Sequence, residues 1–143
     1  MKKILIGLAV VLPLTAIAQD FSQQITERQN AFEDIESTSK LVSKTLNGGD
    51  TDWSKLESQS QKLANHSHAL LTLFPQGSHV DSKAKPEIWS KPDRFNQLLT
   101  QMDQGFQDLY QASQNKDIAM AESGLESTQD TCRSCHRSYR SRW

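Results

Sequence analysis

The chemistry-bearing residues of this sequence gather near its end. Cys132-Arg133-Ser134-Cys135-His136 is a C-x-x-C-H motif, and it contains both cysteines of the 143-residue chain. On a helix, positions i, i+3 and i+4 share one face, so two sulfurs and an imidazole point at the same partner. That spacing is the attachment signature of c-type haem: two thioether bonds hold the haem edge and the histidine reaches the iron as axial ligand. Three rivals weigh against it. A thioredoxin-like C-x-x-C sits in a βαβ unit, which nothing here supplies. A structural disulfide would leave His136 without a role. A zinc site needs a fourth ligand, and His66, His68 and His79 show no paired spacing that nominates one. The residues favour one haem c, covalently bound through Cys132 and Cys135 with His136 on the iron, and a redox disulfide is the main competitor.

These side chains need elements to position them. No period-2 alternation occurs; apolar residues recur at 3–4 spacing, the period of helices buried on one face. Phe21, Ile25, Phe32, Ile35, Val42 and Leu46 form a first stripe, stopped at Asn47-Gly48-Gly49-Asp50. There glycine is expected to supply a left-handed cap and Asp50 to cap the next helix. Trp53, Leu56, Leu63, Leu70, Leu71 and Phe74 mark that second helix, ended by Pro75-Gln76-Gly77. Its middle, Ser58 to Gln61, is polar and is expected to face solvent or lie away from the haem. Ser78 to Trp89 reads as a longer connection that Lys85-Pro86 keeps from being helical. Ser90-Lys91-Pro92-Asp93 then resembles a helix start with Ser90 as cap. Phe95, Leu98, Leu99, Met102, Phe106, Leu109 and Tyr110 give the cleanest stripe, and Asn115-Lys116-Asp117 is a tight turn. Ile118, Ala121, Leu125, Thr128, Cys132, Cys135, His136 and Tyr139 complete a fourth helix. Short loops make antiparallel neighbours, so the expected fold is all-α: an up-down-up-down four-helix bundle with covalently attached haem.

The first eighteen residues read as an address. Met1-Lys2-Lys3 is a positive start, Ile4 to Leu14 an apolar run, and Ala16-Ile17-Ala18 an A-x-A cleavage site. This is a secretory signal peptide, too short for a membrane anchor. Cleavage near Ala18 leaves residues 19–143 as one haem domain, exported and, in a Gram-negative cell, periplasmic. No later stretch approaches membrane length. Sixteen Lys and Arg against seventeen Asp and Glu argue against a nucleic-acid binder. Thirteen of the first eighteen side chains are apolar, which leaves about 30% apolar content in residues 19–143, thin for a helical core. A large planar cofactor clamped between the helices offsets that deficit.

The late position of the motif is unlike that of the small electron carriers that bear it near the N-terminus. With Tyr139-Arg140 after it, Lys85-Pro86-Glu87-Ile88-Trp89-Ser90 and Phe95 before it, and Arg28-Gln29 in the first helix, the chain resembles the cytochrome c′ family, the class II c-type cytochromes. The resemblance places the residue facing the far side of the iron four after Arg28, at Phe32. Phenylalanine has no lone pair to donate, so this implies a five-coordinate, high-spin haem with a guarded open face. Lacking a hydrogen-bond donor, such a pocket disfavours O₂ and leaves NO and CO. The resemblance also pairs Arg28 with a haem propionate, where the residues alone allow equally a snorkelling surface arginine. It sets Arg140 near the exposed edge of His136, although Arg137, Arg140 and Arg142 also suit the helix end as cations favoured by the dipole. It puts Tyr139 at the haem edge and Trp89 there or on the bundle end. His66, Met102 and Met120 are weaker axial candidates, better explained as packing residues.

The implied function is a haem protein that binds small diatomics or takes part in electron transfer with periplasmic redox partners, without being an enzyme. A homodimer through the first two helices is a further implication. A dedicated six-coordinate, low-spin electron carrier is the alternative, and a haem-free helical interaction protein with a Cys132–Cys135 disulfide is the third reading.

Overall fold

The computed structural model describes residues 20–142; the expected leader, residues 1–18, and Trp143 lie outside them. Among the described residues five helices occur in the order α1 (Ser22–Leu46), α2 (Trp53–Leu70), the single-turn α3 (Glu87–Ser90), α4 (Pro92–Asn115) and α5 (Ile118–Tyr139). Among the described residues extended pairing is confined to one bridge, Ala84 with Arg140. The four long helices form a bundle in which α4 packs most extensively on α5 and α2, α2 also on α1, and α1 only sparsely on α5. None of the described helices is long and apolar enough to cross a membrane.

The helix boundaries arise from local chemistry, with several departures from the sequence reading. Asp52, not Asp50, caps α2 by accepting from the Lys55 N–H at 3.0 Å. Asn47 closes α1 in a right-handed conformation, so the glycines after it supply no left-handed cap. That conformation falls instead at Lys116 (φ 55°), where the Asp117 N–H returns to the Ala112 carbonyl at 2.9 Å. Asp117 then caps α5 through the Met120 N–H at 3.0 Å, so two residues turn the chain. α2 stops at Leu70, earlier than its apolar spacing implies, and Leu71 is exposed. Pro86 bars a helix before itself yet starts α3 after itself, because its fixed φ of −56° is already helical. Ser90 therefore ends α3 rather than capping α4, and Pro92 opens α4 without a side-chain cap.

The core runs through Val42, Leu56, Leu63, Leu70, Phe106 and Leu109, all essentially inaccessible. In the polar middle of α2, Ser58 and Gln61 face solvent as expected, but Ser60 is fully buried and shares a 3.1 Å hydrogen bond with Ser113 of α4. Ser67, also buried, donates to Asp103 at 2.9 Å. Ser60, Ser113, Thr128 and Thr131 each reach a backbone carbonyl three or four residues back in their own helix. Hydroxyls satisfied in this way can be buried at little cost. Small side chains bring the helices close, which is how a chain poor in apolar residues still packs.

α4 and α5 approach each other closely at their glycines. A Cβ placed on Gly124 would stand 3.0 Å from the Gly105 carbonyl oxygen and 3.1 Å from the Leu109 nitrogen, both backbone atoms that cannot step aside. Gly124→Val should therefore destabilise the protein by about 2–3 kcal/mol through overpacking. Gly124→Ala should lose less, because the gain of about 1 kcal/mol in helix propensity offsets part of the clash. Thermal unfolding of the two variants should rank them below the parent in the order Ala, then Val.

Candidate haem site

α1 and α4 begin at the end of the bundle where α2 and α5 finish, and that end collects the sequence-derived site residues. Cys132, Cys135 and His136 share a face on the last turns of α5. The two sulfurs are free thiols, each half-buried and packed against the core. Burial pushes both thiols up, and with Cys132 beside it Cys135 reaches about 11. Such thiols remain protonated near neutral pH, unlike the low-pKa thiolates of disulfide exchange enzymes. His136 moves the other way. Partial burial lowers its pKa, the Arg140 charge adds to that, and Glu36 of α1 opposes it. A neutral imidazole is the form that can bind a metal.

Facing this end is a chain of aromatic rings. Phe32 of α1 meets Phe74 edge-on at 6.4 Å between centroids, Phe74 meets Phe95 at 4.8 Å, and Phe95 meets Tyr139 at 5.3 Å. All four pack on the core cluster that Cys132 and Cys135 also touch. Phe74 lies beyond the end of α2, and the connection that carries it is tied down by two side chains. Trp89 donates its indole N–H to the Phe74 carbonyl at 3.1 Å and sets its ring beside His79. Arg28 does more. It is buried, 3% exposed, with its guanidinium 4.7 Å above the Phe74 ring. Its Nη1 donates to the Leu73 carbonyl (3.1 Å) and Ser78 Oγ (2.7 Å), and its Nη2 to the Ser78 carbonyl (2.5 Å) and Ser82 Oγ (3.0 Å). It is not a snorkelling surface arginine. Among the described residues no carboxylate pairs with it.

Arg140 is exposed just past α5, held by backbone pairing rather than by its side chain. Lys85 N–H donates to the Tyr139 carbonyl at 3.0 Å and Ser141 N–H to the Lys83 carbonyl at 2.8 Å. The sequence showed no sign of the Ser78 and Ser82 anchors or of the pairing of residues 83–85 with 139–141. Serines in a connection carry no spacing signal, and a single bridge has no alternation to read. The weaker axial candidates lie in other company: His66 contacts Asp34 at 3.4 Å, and Met102 is buried in the α4 core.

The residues fit a haem. Two thiols and an imidazole on one helical face, aromatic and aliphatic side chains around them, a thinly packed α1–α5 seam and a buried arginine lacking a counter-charge suit a flat apolar group with acidic substituents. No group of three or more His, Cys, Asp or Glu able to hold a bare metal ion occurs among the described residues. Fold and site together define a c-type haem protein of the helical-bundle class. The chain belongs to the cytochrome c′ family, whose profile, described as Cytochrome C′, matches residues 23–140. As a member it carries covalently attached haem c.

Known relatives agree in fold. Cytochrome c′ of Rubrivivax gelatinosus superposes with a TM-score of 0.78 at 23% identity, covering 85% of this chain and 98% of that one. Cytochrome c prime of Shewanella frigidimarina gives 0.77 at 22%, covering 86% and 98%. A variant of the Alcaligenes xylosoxidans cytochrome c prime, solved as its nitric oxide complex, gives 0.78 at 21%, covering 86% and 97%. In sequence, cytochrome c-554 of Cereibacter sphaeroides is 39% identical over 72 residues, 48% of this chain and 53% of that protein. The matched stretch thus spans about half the length of this curated relative.

Proposed function

We propose that the mature chain, residues 19–143 after export to the periplasm and removal of the leader, holds its haem through Cys132 and Cys135 with His136 on the iron. Phe32 faces the opposite side, so the iron is five-coordinate and high-spin. The protein binds NO and CO or passes electrons and turns over no substrate. The observation that carries this reading is α1 itself. Its buried stripe around Phe32 is Arg28, Ala31 and Ile35, and the helix contains no methionine, histidine or cysteine that could close the coordination sphere. When bound, the haem supplies an iron able to take a diatomic ligand or one electron. The protein's own part is to present the imidazole from α5, exclude water with the Phe32–Phe74–Phe95 rings and give no hydrogen-bond donor at Phe32. In this reading Arg28 adds a propionate to its loop contacts, since its buried charge lacks a carboxylate partner. Arg140, Trp89 and Tyr139 border the haem edge.

The optical spectrum tests it. A high-spin ferric spectrum whose Soret band shifts when CO is added after reduction is expected. A low-spin spectrum indifferent to CO would establish the six-coordinate carrier instead. Phe32→Ala should speed CO and NO binding at least about tenfold, equivalent to removing about 1.4 kcal/mol of steric barrier. Phe32→Met should move the resting spectrum toward low spin. Unchanged rates in the alanine variant would mean that another residue covers the iron.

A further inference from the structure

The charges of this chain are strongly polarised. Over residues 20–130 ten Lys and Arg stand against seventeen Asp and Glu; over residues 131–142 four Arg stand against no carboxylate. Those four, Arg133, Arg137, Arg140 and Arg142, surround the C-x-x-C-H. The fold adds two more cations, Lys83 and Lys85, because the backbone pairing of residues 83–85 with Tyr139 and Ser141 brings that segment alongside. Three of the arginines line an open cleft of about 420 Å³ with Lys83, its walls being Lys83, His136, Arg137, Arg140, Ser141 and Arg142. Two carboxylates temper this pole. Asp130 pairs with Arg133, and Glu36, itself 2.6 Å from Lys40, extends its field to His136 and Arg140. Among the described residues no ion pair joins Arg137, Arg140 or Arg142.

We propose that this basic pole is the docking surface for an acidic redox protein, which seats surface carboxylates in the cleft beside His136 and exchanges one electron at the haem edge. The proposal rests on the reading that Cys132, Cys135 and His136 hold the haem. A protein molecule with a positive end and a negative body turns its positive end toward an acidic partner before contact, which raises the productive encounter rate and makes it fall with salt. A protein fits better than an anionic bilayer for two reasons. A membrane-binding surface pairs its cations with apolar side chains that insert, and the cleft lining has none. The carboxylate-rich remainder of the chain would also face a flat anionic sheet, whereas an acidic patch on a protein is local.

The test uses the haem-loaded protein and stopped-flow reduction of its ferric iron. Dithionite-reduced plant-type [2Fe–2S] ferredoxin serves as the acidic one-electron donor and hexaammineruthenium(II) as a cationic one. The ferredoxin rate is expected to fall roughly tenfold between about 0.01 and 0.3 M salt. Arg137→Glu with Arg142→Glu should lower it roughly tenfold at low salt and flatten the salt dependence, without slowing hexaammineruthenium. Lys44→Glu with Lys55→Glu, the same charge change on exposed residues at the opposite end of the bundle, should leave the ferredoxin rate nearly unchanged. Equal slowing in both double variants, or a salt-independent ferredoxin rate, would overturn the proposal. So would cosedimentation with phosphatidylglycerol vesicles that Arg137→Glu/Arg142→Glu abolishes while the ferredoxin rate holds. Failure of the underlying reading looks different: the protein would carry no haem spectrum before any partner is added.

Discussion

Replacing Cys132 and Cys135 together by serine should yield a chain that carries no covalent haem and a bundle that is markedly less stable. In a denaturing gel the haem stain should disappear, and the intact mass should fall by one haem group. Single replacements should keep one thioether and a weaker, partly released haem. The structural consequence comes from how unevenly the helices pack. α4 is gripped on both sides, by α5 and α2, while α1 leans on α2 and touches α5 only sparsely. Phe32 on α1 and Cys132 and Cys135 on α5 all pack on the one core cluster. Without a bound haem, little but half-buried aromatic rings holds α1 against α5. A covalently attached haem stays on the chain when it unfolds, so it stabilises the bundle by the apolar surface it buries and the ligand bond it makes only in the folded state. The double variant should therefore lose at least about 4 kcal/mol, lowering the melting temperature by roughly 10 °C or more. Hydrogen exchange should show α1 opening first, because α4 and α5 keep their Gly105–Gly124 contact. A haem-free protein with parental melting and a protected α1 would contradict this picture of the seam.

The same packing explains which parts of the fold were legible in the residues. Helices with strong stripes, such as Phe95 to Leu109 in α4, announce themselves because their period is set by burial on one face. So does the C-x-x-C-H, whose spacing is itself a statement about a helical face. Ser60 and Ser113 were not legible, because a buried serine is distinguished from an exposed one only by what the next helix presents to it. Arg28 was half legible. Its place on the apolar stripe between Ile25 and Phe32 is odd for a charge, which signals a partner. The partners proved to be hydroxyls and carbonyls fifty residues away, which no local pattern encodes. Pro86 shows a third kind of limit. Proline forbids a helix on one side and favours it on the other, and only tertiary contact decided that the four residues after it would coil. Ile88, the buried residue of that turn, supplies the contact.

Arg28→Met should cost about 2–4 kcal/mol and loosen the connection between α2 and α4. Two terms oppose each other. Removing a buried guanidinium recovers its desolvation cost, and methionine keeps most of the volume over the Phe74 ring. Against this, the Ser78 carbonyl, on a residue 1% exposed, keeps only the long 3.5 Å contact from the Ser82 hydroxyl, and the part-buried Leu73 carbonyl loses its Arg28 donor. A poorly satisfied buried acceptor costs about 1–3 kcal/mol, and together with the part-buried Leu73 carbonyl it outweighs the recovered term. Arg28→Lys should be nearly as harmful. An ammonium concentrates its donors at one point, whereas the guanidinium spreads four hydrogen bonds across two residues of the loop and the last carbonyl before Phe74. Urea unfolding should shift its midpoint at constant slope, and limited proteolysis should begin between residues 71 and 86. The loop carries Phe74, the ring that backs Phe32, so Arg28→Met should also quicken CO binding without any change at Phe32 itself. Parental stability and ligand rates in Arg28→Met would show that the connection is held by Trp89 alone.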